Sequence, residues 1–374
     1  MKQRHRFLLS LLAAAVLVTG CAQQNVLEDL GLILVVGYDV DKKGMLKLTV
    51  AMPEVSEEAK EKVQIITSKG DLSKEARSNI SMATDRQVVS GQLRTAVFSE
   101  TLARQGLWRV LDTLQRDVNI TASLILCISD GKAQEILTAS YNDRPRIGKF
   151  IFELLRKEAK NFTVPRTTLH EYIRQYHSDG SDPVIPYVKM HGGNLAVAGT
   201  ALFRNDVFVG SLSPEETKML LLLRGSGEGG DIKQALPNGN RKGEGDDAAE
   251  QIMLTFVRAK HKYKVAMKDG VPHVTFDVDV AGQVIEYTGS KPLSDTKQLQ
   301  KVEHELEKGL TVRMEDLLNQ LQNKYKCDPI GIGDHIRANG LYPAWSEKVW
   351  RDAYADAKIK VNFKLNIIRT GIIK

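Results

Sequence analysis

The chain has 374 residues, 42% of them hydrophobic and 26% charged, a globular balance that excludes a disordered or collagen-like polymer and predicts two or three domains. Its formal net charge of +6 includes Lys2, Arg4 and Arg6; without residues 1–20 it is +3, which gives no argument for a nucleic-acid partner. No run after residue 20 is apolar over the length that crosses a bilayer, and the best of them, Leu30–Tyr38, is strand-sized.

Met1–Arg6 reads MKQRHR, basic and without an acid, and Phe7–Gly20 is apolar or small throughout. That run is too short to remain as a membrane span and matches a cleaved secretory signal. At its exit, Val18-Thr19-Gly20-Cys21 resembles the lipobox of bacterial lipoproteins. In that reading a diacylglyceryl group is attached to Cys21, which becomes the first residue after cleavage. Two acyl chains hold a protein at a membrane where one alone is marginal.

Gly31–Val40, GLILVVGYDV, predicts a buried strand; a turn at Asp41–Gly44 and the alternation of Leu46, Leu48 and Val50 complete a hairpin. A helix is predicted over Leu72–Arg86, a short strand at Thr95–Phe98, and a helix over Glu100–Gln115 with Leu102, Leu107, Val110, Leu111 and Leu114 on one face. Ile120–Ile128 is a further buried strand and Lys132–Thr138 a helix. Together, 21–140 reads as an N-terminal α/β domain.

Ile147–Phe162 and Thr168–His177 are helical by period, and Leu195–Leu212 is a second hairpin with Arg204–Asp206 at its tip. Ser213-Pro214-Glu215-Glu216 opens a helix that ends at Arg224: Ser as cap, Pro at the first position, acids in the first turn. The segment 141–224 is the expected middle α/β domain. Residues 225–247 hold seven glycines and no apolar period, and read as a flexible loop or linker.

The remainder, 248–374, reads as a C-terminal α+β domain. Val274–Val280 and Ile359–Ile367 alternate strictly, as strands of an antiparallel sheet covered on one side. Between them Asp295–Lys326 carries apolar residues every three or four positions, a helix of about 45 Å that Gly309 is expected to bend. The fold class expected is α+β: three mixed α/β domains in series, mostly antiparallel sheets with helices packed on them, behind a signal peptide.

No pattern asks for catalysis. Gly225–Gly230 matches G-x-G-x-x-G, but a helix precedes it and no helix start follows. Asp39–Gly44 begins like a calcium loop, yet Lys43 holds a ligand position and Val50 stands where the bidentate Glu belongs. His170 and His177 are seven apart, not the four of a ligating pair, and no cluster completes a metal set. Cys127 has no activating partner, and Cys127 and Cys327, 200 positions apart, are read as separate thiols although export permits a bridge. No catalytic, cofactor or metal residues are assigned; Cys21 is the one site residue.

Several segments together resemble one family, the C-subunit lipoproteins of bacterial spore nutrient germinant receptors, written Ger(x)C. They are Leu27–Gly31 and Val36-Gly37-Tyr38-Asp39; Gly91–Glu100, GQLRTAVFSE; Leu111–Val118 with Arg116-Asp117; Ser129–Ala133; Ala198–Phe203 with Val209–Leu212; and Arg369-Thr370-Gly371-Ile372. The chain departs in having Ala22 where many members carry Trp, and no histidine near Leu93-Arg94. The resemblance implies a three-domain, non-catalytic lipoprotein on the outer face of the spore inner membrane. It implies integral-membrane A and B subunits as partners, no cofactor, and a part in nutrient-triggered germination. The alternative is a free-standing lipoprotein that binds a small ligand in a cleft between two similar lobes, but the segments before and after 225–247 show no internal similarity.

Overall fold

The computed structural model describes residues 3–5, 29–54, 62–141, 146–225, 229–240, 249–289, 292–341 and 345–369. Val18, Thr19, Gly20 and Cys21 lie outside them. After β1 (Leu30–Leu32), the expected hairpin is formed by β2 (Val35–Val40) and β3 (Leu46–Pro53), paired from Val35–Ala51 to Val40–Leu46. Asp41 closes the turn by accepting from the N–H groups of Lys43 (2.8 Å) and Met45 (3.1 Å), the local side-chain turn that Asp favours. Next come β4 (Val63–Gly70), α1 (Ser73–Ser81), β5 (Gln87–Val89) and β6 (Thr95–Ser99). The helix expected over Glu100–Gln115 is split into α2 (Glu100–Ala103) and α3 (Trp108–Gln115) by Gly106, whose φ of +101° ends a right-handed helix. Ahead of β7 (Ile125–Ser129), turns at Asp117–Ile120 and Thr121–Leu124 shorten the expected strand. Then follow α4 (Ala133–Thr138), α5 (Ile147–Lys160), α6 (Leu169–Tyr176), β8 (Val184–His191) and the hairpin β9 (Asn194–Arg204) and β10 (Val207–Leu212).

Eight of these strands make one sheet in the order β10-β9-β8-β7-β6-β2-β3-β4. Its centre, β8-β7-β6-β2, is parallel and its flanks antiparallel. Helices cover both faces. Leu107, Leu111 and Leu114 of the α3 region and Tyr172 of α6 pack with Tyr38, Phe98 and Phe203 on one side. Ile136 and Leu137 of α4, with Ile151 and Leu155 of α5, pack with Val97 and Cys127 on the other. Burial on both faces is why all five residues of β7 are buried and read as an unbroken apolar run. The expected boundary at 140 and 141 falls inside this sheet, since Ile128 of β7 pairs with Tyr187 of β8. Helices α5 and α6 are the crossover between two parallel strands, which must be long, and not a connection between separate cores.

The chain then enters α7 (Pro214–Leu223), where Ser213 and Glu216 form the expected capping box and every residue from Thr217 to Leu223 is buried. A helix apolar all round belongs inside a core, and α7 sits in a cluster that takes Val184, Leu202 and Leu212 from the large sheet and extends through the rest of the molecule. The second sheet has the order β11 (Asp231–Asn240), β12 (Ala249–Lys268), β13 (Val271–Tyr287) and β14 (Lys358–Arg369). Two readings are corrected here. The stretch 225–247 contains a strand, β11, with Ile232 and Leu236 fully buried; its large aliphatic residues are only these two, and the glycines around them mask the alternation. β14 runs parallel to β13, pairing from His273–Lys358 to Gln283–Arg369, so the sheet is not wholly antiparallel.

The parallel return is made by α8 (Thr296–Asn319), a π-helical turn (Gln320–Tyr325), α9 (Ile332–Ala338) and α10 (Glu347–Asp356). Gly309 gives α8 a close approach to β11: a Cβ there would lie 2.7 Å from Nε2 of Gln234. Along the outer edge of β14, Glu303 accepts from the N–H of Ile367 (2.7 Å) and Glu307 from that of Leu365 (3.0 Å). Four helical residues advance about 6 Å and two strand residues about 6.6 Å, so one helix face serves alternate amides of the strand.

Candidate functional site

The two sheets meet at a seam made by two loops. His177–Pro183 joins α6 to β8, and Lys326–Gly331 joins the π-helical turn to α9. Lys326 is left-handed (φ +53°), the backbone reversal that stops the long helix. Asp182, 2% exposed, stands at the centre. Its Oδ1 accepts from the N–H of Asn205 (3.0 Å) and Nη2 of Arg351 (3.0 Å), and its Oδ2 from the N–H of Asp328 (2.8 Å) and Nη1 of Arg351 (3.3 Å). In return the Asp182 N–H donates to the Asp328 carbonyl at 2.8 Å. A buried carboxylate survives only with such a set of donors and a facing cation.

Asp328 is as deeply buried, and its two oxygens accept from the N–H groups of Gly331 and Gly333, each at 2.9 Å. Burial outweighs those donors and pushes its pKa up to about 7, with Asp182 adding repulsion. Nearby the two backbones touch. The Asp334 N–H donates to the Gly180 carbonyl (3.1 Å), and a Cβ on Gly180 would fall 2.3 Å from the Asp334 nitrogen. The Ser178 hydroxyl bonds the Asp334 carboxylate, and Arg224 donates to the Pro329 carbonyl at 2.7 Å.

A cavity of about 450 Å³ opens beside the Asp182–Arg351 pair. Its rim is charged, with Asp179, Asp352 and Asp356 facing Arg204 and Lys326, and its wall is aromatic, with Trp350 and Tyr354. The Trp350 Nε1 and the Tyr354 hydroxyl are buried and lack the partner such groups ordinarily find. The seam's cysteine is not an available nucleophile: Cys327 is 1% exposed, and burial holds its thiol well above the ordinary range. Among the described residues, no group of three or more His, Cys, Asp or Glu could hold a metal ion. The arrangement can lock two sheets together and can accept a small polar occupant.

A second convergence lies at the C-terminal ends of the central parallel strands. Asp39 ends β2 buried, and its carboxylate accepts from the N–H groups of Ala133 (2.8 Å) and Gln134 (2.9 Å), capping α4 from ninety residues away. Tyr38 stacks on Phe98 with centroids 5.2 Å apart, and Asp117 pairs with Arg77 at 2.5 Å. The segments Val36–Asp39, Gly91–Glu100 and Ser129–Ala133, far apart in sequence, thus meet in adjoining strands and the helix they cap, while Asp117 ties the end of α3 to Arg77 of α1. Cys127 and Cys327 are both free and buried. His170 and His177 are both exposed, and His177 rests edge-on against Trp108. Cys21 and its lipobox lie outside the described residues. Asp182, Asp328 and Arg351 gave no sequence signal, because each is an ordinary charged residue until the fold buries it.

No helix among the described residues is long and apolar enough to cross a membrane. Two family models match the chain in order: the spore germination protein N-terminal domain over residues 23–190 and the spore germination B3/GerAC-like C-terminal domain over residues 198–371. The chain is 24% identical to spore germination protein GerQC of Bacillus cereus over 371 residues, covering 98% of this chain and 99% of that one. It is also 24% identical to spore germination protein B3 of Bacillus subtilis (strain 168), over 77% of this chain and 76% of that one. Among solved structures, the crystal structure of the GerBC protein shares the fold, with a TM-score of 0.56 and 22% identity over 89% of this chain and 96% of that chain.

Proposed function

The chain belongs to the GerAC-like family of spore germination proteins, and from that membership we propose that it is the lipid-anchored C subunit of a spore nutrient germinant receptor. The observation that carries the reading is the ordered match of both family models across residues 23–371. In this proposal Cys21 carries the diacylglyceryl group, residues 1–20 are removed, and the protein sits on the outer face of the spore inner membrane. Its partners there are the integral-membrane A and B subunits, and its part in nutrient response is assembly, not catalysis. The seam suits an assembly role in being built from fixed ion pairs and backbone bonds.

The test is Cys21→Ala. The variant should leave the spore membrane fraction, because the two chains that hold the protein are gone, and nutrient-triggered germination should fall with it. A variant that remains membrane-bound after a salt wash, with germination intact, would refute the anchor. Co-purification of the wild-type chain with A and B subunits from spore membranes tests the assembly.

A further inference from the structure

We propose that the exposed face of the four-stranded sheet, over β12, β13 and β14, is a docking surface for an anionic lipid bilayer. Residues 258–268, 271–281 and 358–366 contain ten charged side chains, eight basic and two acidic. The ladder places all of them on the same face, because residues paired across strands share a side. Three adjacent rows read Lys260–Asp279–Lys364, Lys262–Asp277–Asn362 and Lys264–Thr275–Lys360. Arg258 extends the field at one end, and Lys268 and Lys358 at the other. All eight basic side chains are exposed, while the opposite face of the same strands, Val274, Phe276, Val278, Val361 and Phe363, is core.

This face carries +6, whereas the chain from residue 21 carries +3 in all. Everything else is therefore net acidic, and the basic charge is concentrated in one plane. Asp277 relieves it by contact, accepting from Asn362 (2.8 Å) and facing Lys264 at 3.9 Å. Asp277 and Asp279 stand between the lysines of β12 and β14 but offset only two of the eight basic charges, and a single-sign excess of this density repels itself, a cost to the isolated protein. An opposing sheet of negative charge removes that cost. Two further observations favour lipid over nucleic acid. No Phe, Tyr or Trp lies on the exposed face, so there is no platform for stacking bases. At the Arg258 end, bulges on either side of Gly282 turn Val257 and Ile368 out to solvent, 43% and 47% exposed, beside the basic field. Basic residues flanked by exposed aliphatics suit the headgroup region of a bilayer.

The choice of a bilayer rests on the proposed anchor; the charge asymmetry does not. The test therefore uses the chain from residue 21 with Cys21→Ser, which keeps every described core and carries no lipid. Sedimentation with phosphatidylcholine vesicles, with and without phosphatidylglycerol, should show binding only to the anionic vesicles, lost at high salt. Replacing Lys260, Lys264, Lys360 and Lys364 together by Gln should weaken that binding by about six-hundredfold, at roughly fivefold per lysine. A control with Gln at Lys74, Lys132, Lys149 and Lys189, exposed lysines of the other sheet and its helices, should bind like the parent. Indifference of the parent to phosphatidylglycerol, or equal losses in the two variants, would overturn the proposal. Capture of a DNA duplex without capture of vesicles would overturn it too, in favour of a nucleic-acid surface. Because the assay needs no acyl chain and no other subunit, its failure leaves the Cys21 and receptor tests untouched.

Discussion

At the scale of single residues, the seam depends on a carboxylate and a guanidinium separated by 169 positions. Removing Arg351 strands Asp182 with a buried charge, so Arg351→Ala should cost about 3–5 kcal/mol in denaturant unfolding. A loss under about 1 kcal/mol would mean that the backbone donors of Asn205 and Asp328 suffice. Asp328 adds a pH dependence whose sign follows from its raised pKa. The folded protein holds that proton up to about pH 7, whereas the free carboxyl releases it near 3.8. Its contribution to stability is complete below pH 4 and is lost as the pH rises to about 7. The melting temperature of the parent should therefore fall between pH 5 and 7 relative to Asp328→Asn, and parallel curves would reject the assignment. None of this was legible beforehand, since sequence shows that a residue can ionise but not whether water reaches it.

At the scale of elements, legibility followed how local each signal is. The alternation of Ile359–Ile367 belongs to one strand, and the structure buries Val361, Phe363, Leu365 and Ile367 as that alternation requires. Phe363→Asp should accordingly cost several kcal/mol by placing a charge among them, while Lys364→Ala should change stability by less than about 0.5 kcal/mol. Equal melting curves for the two variants would reverse the assignment of faces. Strand direction is not local, and the parallel pairing of β14 is decided by the helices that carry the chain back from β13. β11 escaped notice because Ile232 and Leu236 are diluted by polar and small neighbours, yet both are core residues. Ile232→Asp is expected to lower the denaturation midpoint about as far as Phe363→Asp does. A shift no larger than that of Lys364→Ala would show β11 to be loosely held.

At the scale of the molecule, composition and period gave the mixed α+β class, but counting cores along the chain did not reproduce the sheets. The large sheet draws strands from residues 35–212 and shares α7 with the smaller one. A core that crosses the seam couples the two sheets, so they should unfold together. Trp108 reports on the large sheet, and Trp345 and Trp350 on the other side of the seam. Variants keeping Trp108 alone, or Trp345 and Trp350 alone, should give coincident urea transitions. Gly180→Ala, which forces apart backbones already in contact, should move both by the same amount, equivalent to about 1–3 kcal/mol. Separate midpoints would show two independent units.

Under the proposed lipid anchor at Cys21, which would hold the protein in two dimensions, the carboxylates of Glu303 and Glu307 have a further consequence. Tethered molecules meet their own copies at a high effective concentration. A strand with free amides along its margin is a template for a neighbour's strand, and head-on pairing of such margins propagates into fibres. Here the amides of Leu365 and Ile367 are already engaged from within the same chain. The end of the C-terminal strand is thereby closed to recruitment, and molecules crowded on one surface can adjoin without pairing through Leu365–Ile367.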